Sequence, residues 1–388
     1  MKLALIGFGQ AGGKVVDAFV DYEQRTGLDI FASPIAVNTA TADLAGLEHV
    51  PEDNRVLIGQ SRVKGHGVGA DNELGAEIAA ADIDEVQAAI DAIPVHEVDA
   101  FLIVAGLGGG TGSGGAPVLA EHLRTIYTEP VFGLGILPAQ DEGGIYTLNA
   151  ARSFQTFVRE TDNLLVFDND AWRSTGESMR GGFDQINEEI ARRFGVLFGA
   201  GEISDGAAVA ESVVDSSEII NTLQGGGVST VGYAREAVEA DAGSRLSLFG
   251  DDEGPAAVDT TNRVTSLVRK ATLGRLTLPC DVEGADRSLL VLSGPPDHLN
   301  RKGIERGRKW LESETGSMAV RGGDYPLPDA DHVASVVLLS GVHQVPRVKQ
   351  LQQVAVEAKH SIDQRTEDHD DHLQQLVHED AEELSPLY

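Results

Sequence analysis

The stretch Gly106-Leu107-Gly108-Gly109-Gly110-Thr111-Gly112-Ser113-Gly114-Gly115 is the most informative part of this chain. It follows an apolar run over 100–105, which predicts a buried strand, and it precedes a segment from Pro117 to Tyr127 that is typical of a helix. Glycines allow backbone N–H groups to approach an anion, and the N-terminus of a helix adds partial positive charge. A flexible surface turn is the alternative, but glycine this dense between a strand and a helix favours a phosphate-binding loop.

The composition is strongly acidic. With 388 residues, the chain is long enough for two domains or one large one. Its formal net charge is -31, and a surface of this sign repels nucleic acid and anionic lipid, so we expect neither as a partner. The charge is spread along the chain, and high ionic strength would screen the self-repulsion. This pattern is typical of a salt-adapted protein, with an ordinary acidic protein as the alternative.

Cysteine content and hydropathy bear on the cellular location. The chain contains one cysteine, Cys280, so an intrachain disulfide cannot form. Met1 leads directly into a strand-like run with no signal peptide before it, and no apolar segment is long enough to span a bilayer. We therefore expect a cytoplasmic protein without direct membrane insertion.

The first half of the chain alternates strand-like and helix-like segments, which predicts an α/β fold with a mostly parallel sheet covered on both faces. The predicted strands are 2–6, 34–37, 100–105, 131–137 and 163–167. The predicted helices are 11–25, 71–91, 117–127 and 144–160. Ligands of such sheets bind at the carboxyl ends of the strands, and the glycine loops lie there.

The second half of the chain shows a different organisation. Apolar residues at helical spacing from Phe183 to Leu197 predict a long central helix. Helices near 259–274 and 299–313, strands at 289–293 and 333–340, and loops at 225–227 and 251–255 predict a smaller α+β domain. The expected domains are a nucleotide-binding domain at 1–177, the central helix and its connection at 178–202, the α+β domain at 203–345, and an acidic tail at 346–388, partly helical or disordered.

The loop after the first strand presents a competing hypothesis. Residues 7–12, Gly-Phe-Gly-Gln-Ala-Gly, satisfy the GxGxxG pattern of dinucleotide-binding folds, so an NAD-dependent oxidoreductase is an alternative. That pattern expects an acidic residue at the end of the second strand to bind the ribose, but Asn38-Thr39 stands there. The second glycine loop would also have no role in such a fold.

The sequence GGGTGSG over 108–114 resembles the signature loop of the tubulin and FtsZ superfamily of GTPases. Other loops are similar to the phosphate loops of that family, in the same order along the chain. The resemblance implies a Rossmann-like GTP-binding domain, a long central helix and a smaller α+β domain, with GTP or GDP as the ligand. It assigns phosphate contacts to four loops: Gly9, Gln10, Ala11 and Gly12; Asn38; Gly69, Ala70 and Asp71; and Gly106, Gly108, Gly109, Gly110, Thr111, Gly112 and Ser113.

The same resemblance implies contacts to the rest of the nucleotide. Glu142 is similar to the glutamate that binds the ribose, and Asn169 falls where the family places a base- or ribose-contacting asparagine. Phe183 and Asn187 match the positions that stack on guanine and read it. Tyr146 departs from the FtsZ pattern, which has an arginine there.

The resemblance also implies how GTP is hydrolysed. In the family, an acidic loop of the next subunit in a filament completes the site, and Asp215 and Glu218 match that loop. The alternative for this pair is a helix start, because Asp-Ser-Ser-Glu is a capping-box sequence. Mg2+ is the expected metal, with Gln10 and Asp71 as candidates to hold its waters. The expected partner is a second copy of the chain, in a head-to-tail homopolymer, with other filament regulators as further candidates.

Within the superfamily, the chain resembles CetZ, the tubulin-like proteins of haloarchaea. The resemblance rests on the tubulin-like first loop, the salt-adapted composition and the acidic tail, and it implies a role in cell shape. An FtsZ-type division GTPase is the alternative.

Overall fold

A computed structural model describes residues 1–173, 179–201, 214–238 and 257–358 of the chain. The predicted loop at 251–255 and the tail beyond 358 lie outside the described residues. No helix in the described segments is both long and apolar enough to span a membrane.

The described strands and helices alternate through the first half of the chain, as the sequence predicts. The strands are β1 Leu3–Phe8, β2 Phe31–Asn38, β3 Arg55–Leu57, β4 Ala100–Gly106, β5 Val131–Leu137, β6 Asn163–Asp168, β7 Val228–Ala237, β8 Arg287–Gly294, β9 Ala319–Pro326 and β10 His332–Ser340. The helices are α1 Gly9–Thr26, α2 Thr41–Ala45, α3 Gln60–Val63, α4 Asn72–Ala81, α5 Ile83–Ile90, α6 Thr111–Ile126, α7 Gly144–Glu160, α8 Asn169–Trp172, α9 Met179–Gly199, α10 Ser216–Leu223, α11 Ala257–Leu273 and α12 Arg301–Thr315, and residues 346–358 are also helical.

The described strands form one sheet in the order β3-β2-β1-β4-β5-β6-β7-β10-β8-β9. The six strands of the first half are parallel, so their carboxyl ends lie along one edge. A short parallel pairing of β6 with β7 joins them to the second half, where β10 runs antiparallel to both β7 and β8. The strands of the two halves of the chain are therefore parts of one continuous sheet.

Two apolar clusters lie on opposite faces of this sheet. Along β1, Ala4, Ile6 and Phe8 belong to one cluster, whereas Leu3 and Leu5 belong to the other. This alternation is the one expected of a strand buried on both faces. The prediction of a mostly parallel sheet covered on both sides is confirmed.

Some of the predicted helices and strands differ from those in the structure. The helix predicted over 71–91 is two helices, α4 and α5, because Asp82 leaves helical geometry and its carboxylate accepts a hydrogen bond from Gly59 N at 2.6 Å. Strands β3, β7 and β9 were not predicted. In β7, Gly232 interrupts the apolar pattern because helix α11 packs directly on the strand backbone, where a Cβ would meet the carbonyl of Ala271.

The region expected to be an acidic tail, partly helical or disordered, begins at residue 346. Its described part, residues 346–358, is a helix packed on the body. Leu351 is 1% exposed within the core, and the side chain of Arg347 is buried. The first part of this region is therefore helical, and the rest of it lies outside the described residues.

Candidate functional site

Four loops predicted to bind phosphate converge at the carboxyl edge of the parallel strands. Gly9 has a φ of +75°, and a Cβ added to it would lie 2.7 Å from the backbone nitrogen of Gly112. A Cβ at Gly106 would similarly lie 2.7 Å from the Cβ of Ala11. These close approaches require glycine, and they pack the first and fourth loops against each other.

The second loop joins the same site through a buried hydroxyl pair. Thr39 Oγ1 lies 2.7 Å from Thr111 Oγ1, at the start of α6. Asn38, which was predicted to contact phosphate, accepts hydrogen bonds at its Oδ1 from the backbone of Thr39 and Ala40, at 2.8 and 3.1 Å. Its side chain thus shapes the turn of the second loop, and it is buried.

The third loop is held on the fourth by Asn149 of α7. Its Nδ2 donates to the carbonyl oxygens of Ala70, Gly108 and Gly109 at 2.7, 3.1 and 3.3 Å. Ala70 has a φ of +65°, which is uncommon for a residue with a side chain, so this bond holds a backbone shape that the loop would not prefer alone. Sequence reasoning missed Asn149, because nothing near it in the sequence marks a residue that acts across the fold.

Asp71 ends the third loop and begins α4. Its Oδ1 accepts a hydrogen bond from Leu74 N at 3.0 Å, so it is an N-cap, and its side chain is exposed. A Cβ at Gly110 would lie 2.9 Å from the backbone nitrogen of Asp71, which places this residue directly against the fourth loop. Gln10 is also exposed, at the start of α1.

Gly109 differs from its neighbours in the fourth loop. A Cβ at Gly110 would lie 2.5 Å from Val68 Cγ2, and one at Gly108 would lie 3.0 Å from Pro138 Cγ, but one at Gly109 would meet no atom of the described residues within 4 Å. The described part of the protein therefore gives no steric reason for glycine at 109. Open space beside this residue, at the N-terminus of a 16-residue helix, is what an anion-binding loop needs.

Helix α6 begins at Thr111, earlier than the predicted start at Pro117, so the proline lies inside it. Pro117 has no N–H, which would leave the carbonyl of Ser113 without its helical partner. Ser153 Oγ of α7 donates to that carbonyl at 2.7 Å. Because of this bond, the glycine loop leads directly into a continuous helix.

The residues predicted to contact ribose and base lie in the loops after β5 and β6 and on α9. Glu142 is half-buried, and its Oε1 accepts a hydrogen bond from Ala139 N at 2.8 Å. Asn169 is buried at the start of α8, and its Oδ1 has no hydrogen-bond partner among the described residues. Phe183 and Asn187 are half-buried and share one face of α9, since they are four residues apart.

Asp215 and Glu218 are not near these loops. They begin α10, where Ser216 Oγ lies 3.3 Å from Asp99 Oδ1. Asp99 precedes β4, and its other carboxylate oxygen accepts from the backbone of Lys2, which precedes β1. The acids are therefore at the amino-terminal edge of the parallel strands, and strands of 6 and 7 residues, roughly 20 Å long, separate them from the glycine loops.

The two acids differ in their surroundings. Asp215 is the N-cap of α10, and hydrogen bonds from Ser217 Oγ and Glu218 N, at 2.6 and 2.9 Å, lower the pKa of its carboxyl. Burial, together with the nearby Asp215 charge, raises the pKa of Glu218. Its Oε2 is buried with no hydrogen-bond partner in the described part of the chain. The helix-start alternative is thus observed for Asp215, and Glu218 holds an uncommitted carboxylate oxygen.

Comparisons with known proteins cover both halves of the chain. Residues 2–177 match the Tubulin/FtsZ family, GTPase domain, and residues 176–357 match the family Tubulin-like CetZ, C-terminal domain. The chain is 74% identical over 371 residues to the tubulin-like protein CetZ1 of Haloferax volcanii, covering 94% of each chain. It is 64% identical over 392 residues to CetZ3 of the same organism, covering 100% of each.

Solved structures show the same fold. The structure "CetZ1 from Haloferax volcanii - GDP bound monomer" is 71% identical, with a TM-score of 0.84, covering 92% of this chain and 100% of that one. The structure "CetZ2 from Haloferax volcanii - GTPgS bound protofilament" is 48% identical, with a TM-score of 0.83, covering 94% and 100%. These matches exclude the oxidoreductase alternative and confirm the predicted fold class. The chain belongs to the tubulin/FtsZ family of GTPases, in its CetZ branch.

Proposed function

We propose that this chain binds GTP at the carboxyl edge of its parallel strands and hydrolyses it where one subunit of a head-to-tail filament meets the next. The observation that carries the proposal is that the phosphate-binding loops and the acidic residues, which hydrolysis would need together, lie at opposite edges of the sheet. The glycine loops lie at one edge of the sheet, and Asp215 and Glu218 lie at the other. A relative has been solved with GDP and another as a protofilament with GTPγS, which supports both nucleotide binding and self-assembly.

The phosphates would bind in the cradle formed by the four loops. The open side of Gly109, the backbone N–H groups at the start of α6 and the dipole of that helix all favour an anion there. Asn149 and the Thr39–Thr111 pair hold the cradle in one shape before a ligand arrives. A cradle preorganised in this way loses little entropy on binding.

Ribose and guanine would be bound beside the cradle. Glu142 offers a carboxylate to the ribose hydroxyls. Asn169 Oδ1, which has no partner in the described part of the chain, offers an acceptor to the ribose or the base. Phe183 supplies an aromatic ring for stacking, and Asn187 a paired donor and acceptor for the guanine edge. A buried acceptor without a partner costs free energy, so a ligand that satisfies Asn169 gains affinity.

A magnesium ion fits the same arrangement. No group of three or more His, Cys, Asp or Glu among the described residues could hold a metal alone. That finding suits Mg2+ in a nucleotide site, where the ion uses phosphate oxygens, waters and one or two protein groups. The exposed Asp71 carboxylate and Gln10 amide would bind its waters. When bound, the ion would neutralise charge on the phosphate oxygens.

The water that attacks GTP would be oriented by the neighbouring subunit. An acid roughly 20 Å from its own cradle cannot act there, but the head-to-tail repeat of a filament brings the amino edge of one subunit over the carboxyl edge of the next. Glu218 suits the orienting role, because its Oε2 has no hydrogen-bond partner among the residues that the structure describes, and burial raises the pKa of its carboxyl, which makes it a stronger base than an ordinary glutamate. Asp215 would cap the start of α10 and would place a second carboxylate beside Glu218 at the subunit contact.

The cellular part of the proposal is a filament in the cytoplasm that controls cell shape. Each chain in it would comprise the four regions proposed from the sequence, the last of which, 346–388, begins with the described helix 346–358. Other filament regulators would bind the polymer.

The test is phosphate release per subunit, measured against protein concentration in molar KCl with saturating GTP. A shared site predicts a steep rise with concentration as contacts form. A constant rate per subunit would refute the shared site and leave only nucleotide binding.

A further inference from the structure

Arg347 connects the second half of the molecule to the proposed nucleotide site. It lies at the start of the 346–358 helix, and its side chain is 5% exposed. Its Nη2 donates to the carbonyl of Pro138 at 2.7 Å, and its Nε lies 3.5 Å from Asp168 Oδ1. Pro138 directly follows β5 and Asp168 ends β6, so one guanidinium holds the carboxyl ends of two neighbouring strands.

The loops that leave these two strand ends are also joined at the surface. Asp170 Oδ1 accepts a hydrogen bond from Gln140 N at 3.0 Å, and its Oδ2 accepts from Gln140 Nε2 at 2.8 Å. Asp168 Oδ1 in turn accepts from Asp170 N at 3.2 Å. Together with Arg347 and Pro138, these contacts form a closed ring that fixes one loop relative to the other.

This ring of contacts includes the loop segments that carry the residues proposed to bind ribose and base. Glu142, proposed to bind ribose, lies two residues after Gln140, and Asn169 lies between Asp168 and Asp170. Neither residue is anchored by Arg347 directly. Their placement depends on the strand ends that Arg347 holds.

The buried ion pair between Arg347 and Asp168 is not explained by a contribution to the stability of the fold. Burial raises the pKa of Asp168 to about 6 despite the adjacent arginine, so the ion pair does not fully offset the loss of water. Buried ion pairs of this kind are often no more stabilising than apolar replacements, and their better-attested use is to fix one geometry. Arginine suits that use, because its planar group can bind a carbonyl and a carboxylate at once.

We infer that Arg347 is a positioning residue for the guanine nucleotide: by holding Pro138 and Asp168 together, it sets the loops that carry Glu142 and Asn169 and so couples the 346–358 helix to nucleotide affinity. This inference rests on the proposed nucleotide binding. By linkage, nucleotide binding also stabilises the docked position of that helix.

The test compares full-length proteins by equilibrium binding of GDP. Arg347→Lys keeps the charge but cannot bind both acceptors in the same way, and it should raise the Kd for GDP roughly 2- to 30-fold. Arg55→Lys is the matched control. Arg55 is half-buried and donates to the carbonyls of Val50 and Leu44, at 2.9 and 3.1 Å, near the far edge of the sheet. The Arg55→Lys protein should bind GDP with the Kd of the wild type.

A double-mutant cycle separates positioning from general loosening. Glu142→Gln keeps the acceptor for Ala139 N but loses the charge offered to ribose. If Arg347 positions Glu142, the fold-change caused by Glu142→Gln should be clearly smaller in the Arg347→Lys background. The Arg55→Lys background should leave it unchanged.

Each outcome of the test is decisive. Wild-type protein that fails to bind GDP would remove the proposed function and the inference with it. Wild-type binding with an unchanged Kd in Arg347→Lys, or independent effects in the cycle, would overturn the inference alone. If Arg347→Lys does not fold, Asp168→Asn replaces it, because it loses the ion pair but can still cap α8, and the same expectations apply.

Discussion

Gly109 allows the most direct perturbation of the phosphate cradle. No atom in the described segments would lie within 4 Å of a Cβ at Gly109, whereas the adjacent Gly110 is enclosed by Val68 and Asp71. Replacing Gly109 with valine would put a branched side chain where the phosphate should approach the backbone, without a clash at its Cβ. The free energy of unfolding without nucleotide should therefore change by no more than about 1 kcal/mol.

The expected loss of affinity follows from the contacts that the cradle provides. A hydrogen bond to a charged group contributes about 1.5–3 kcal/mol, which corresponds to roughly 10- to 150-fold in Kd. Gly109→Ala should lose one such contact and raise the Kd for GTP ~10-fold. Gly109→Val, with two further methyl groups, should displace the phosphate and raise it ~100-fold or more.

The assay is titration with a fluorescent GTP analogue in molar KCl, paired with denaturant unfolding of the nucleotide-free proteins. Gly225→Ala is the control, because its Cβ would lie at an ordinary 3.4 Å from Arg287 Nε, near the amino-terminal edge of the sheet. It should bind GTP as the wild type does. A folded Gly109→Val protein with undiminished affinity would refute the cradle.

Three further predictions concern charge and the tail. With a net charge of -31, the protein should melt at a lower temperature in millimolar than in molar KCl, and an unchanged midpoint would contradict salt adaptation. Removing residues 359–388 should leave the thermal midpoint and the Kd for GTP unchanged. Removing residues 351–388 also deletes the buried Leu351 and should lower the free energy of unfolding by roughly 2–5 kcal/mol. Equal stability of the two truncated proteins would contradict the core role of Leu351. Because burial raises the pKa of Asp168 from 3.8 to about 6, the folded protein binds this proton more tightly than the unfolded chain. The stability of wild type relative to Asp168→Asn should therefore fall as pH rises from about 4 to 6, and a constant difference in denaturant titrations would show that Asp168 does not titrate there.

The sequence predicted the structure correctly where a local pattern of residues is compatible with only one kind of structure. Glycines placed between an apolar strand and a helix predict a close backbone approach, and the structure has such approaches at Gly9, Gly106 and Gly110. Strands β4, β5 and β6 were predicted almost to the residue, because strands buried on both faces are continuous apolar runs.

Contacts between distant segments were not predictable. Asn149 holds Ala70 and Gly108, which are 79 and 41 residues away, and Ser153 compensates for Pro117 from the next helix. Arg347 looks like one more charge at the start of an acidic region, yet the fold buries it against Asp168. Strand β7 was missed because Gly232, required by close helix packing, disrupts the pattern by which strands are recognised.

The division of the active site between subunits is the central claim, and one mixing measurement tests it most directly. Glu218→Ala should keep its own cradle and bind GTP but lose ~10²-fold or more in turnover, the effect expected for removing a group that positions or activates water. Gly109→Val should keep its acids and lose nucleotide. In a mixture, the acids of Gly109→Val subunits would lie over GTP held by Glu218→Ala subunits, so phosphate release should exceed the sum of the two separate rates. Mixing Glu218→Ala with the double variant Gly109→Val/Glu218→Ala is the control and should give no such gain. Equal phosphate release in the two mixtures, or full turnover by Glu218→Ala alone, would contradict the shared site.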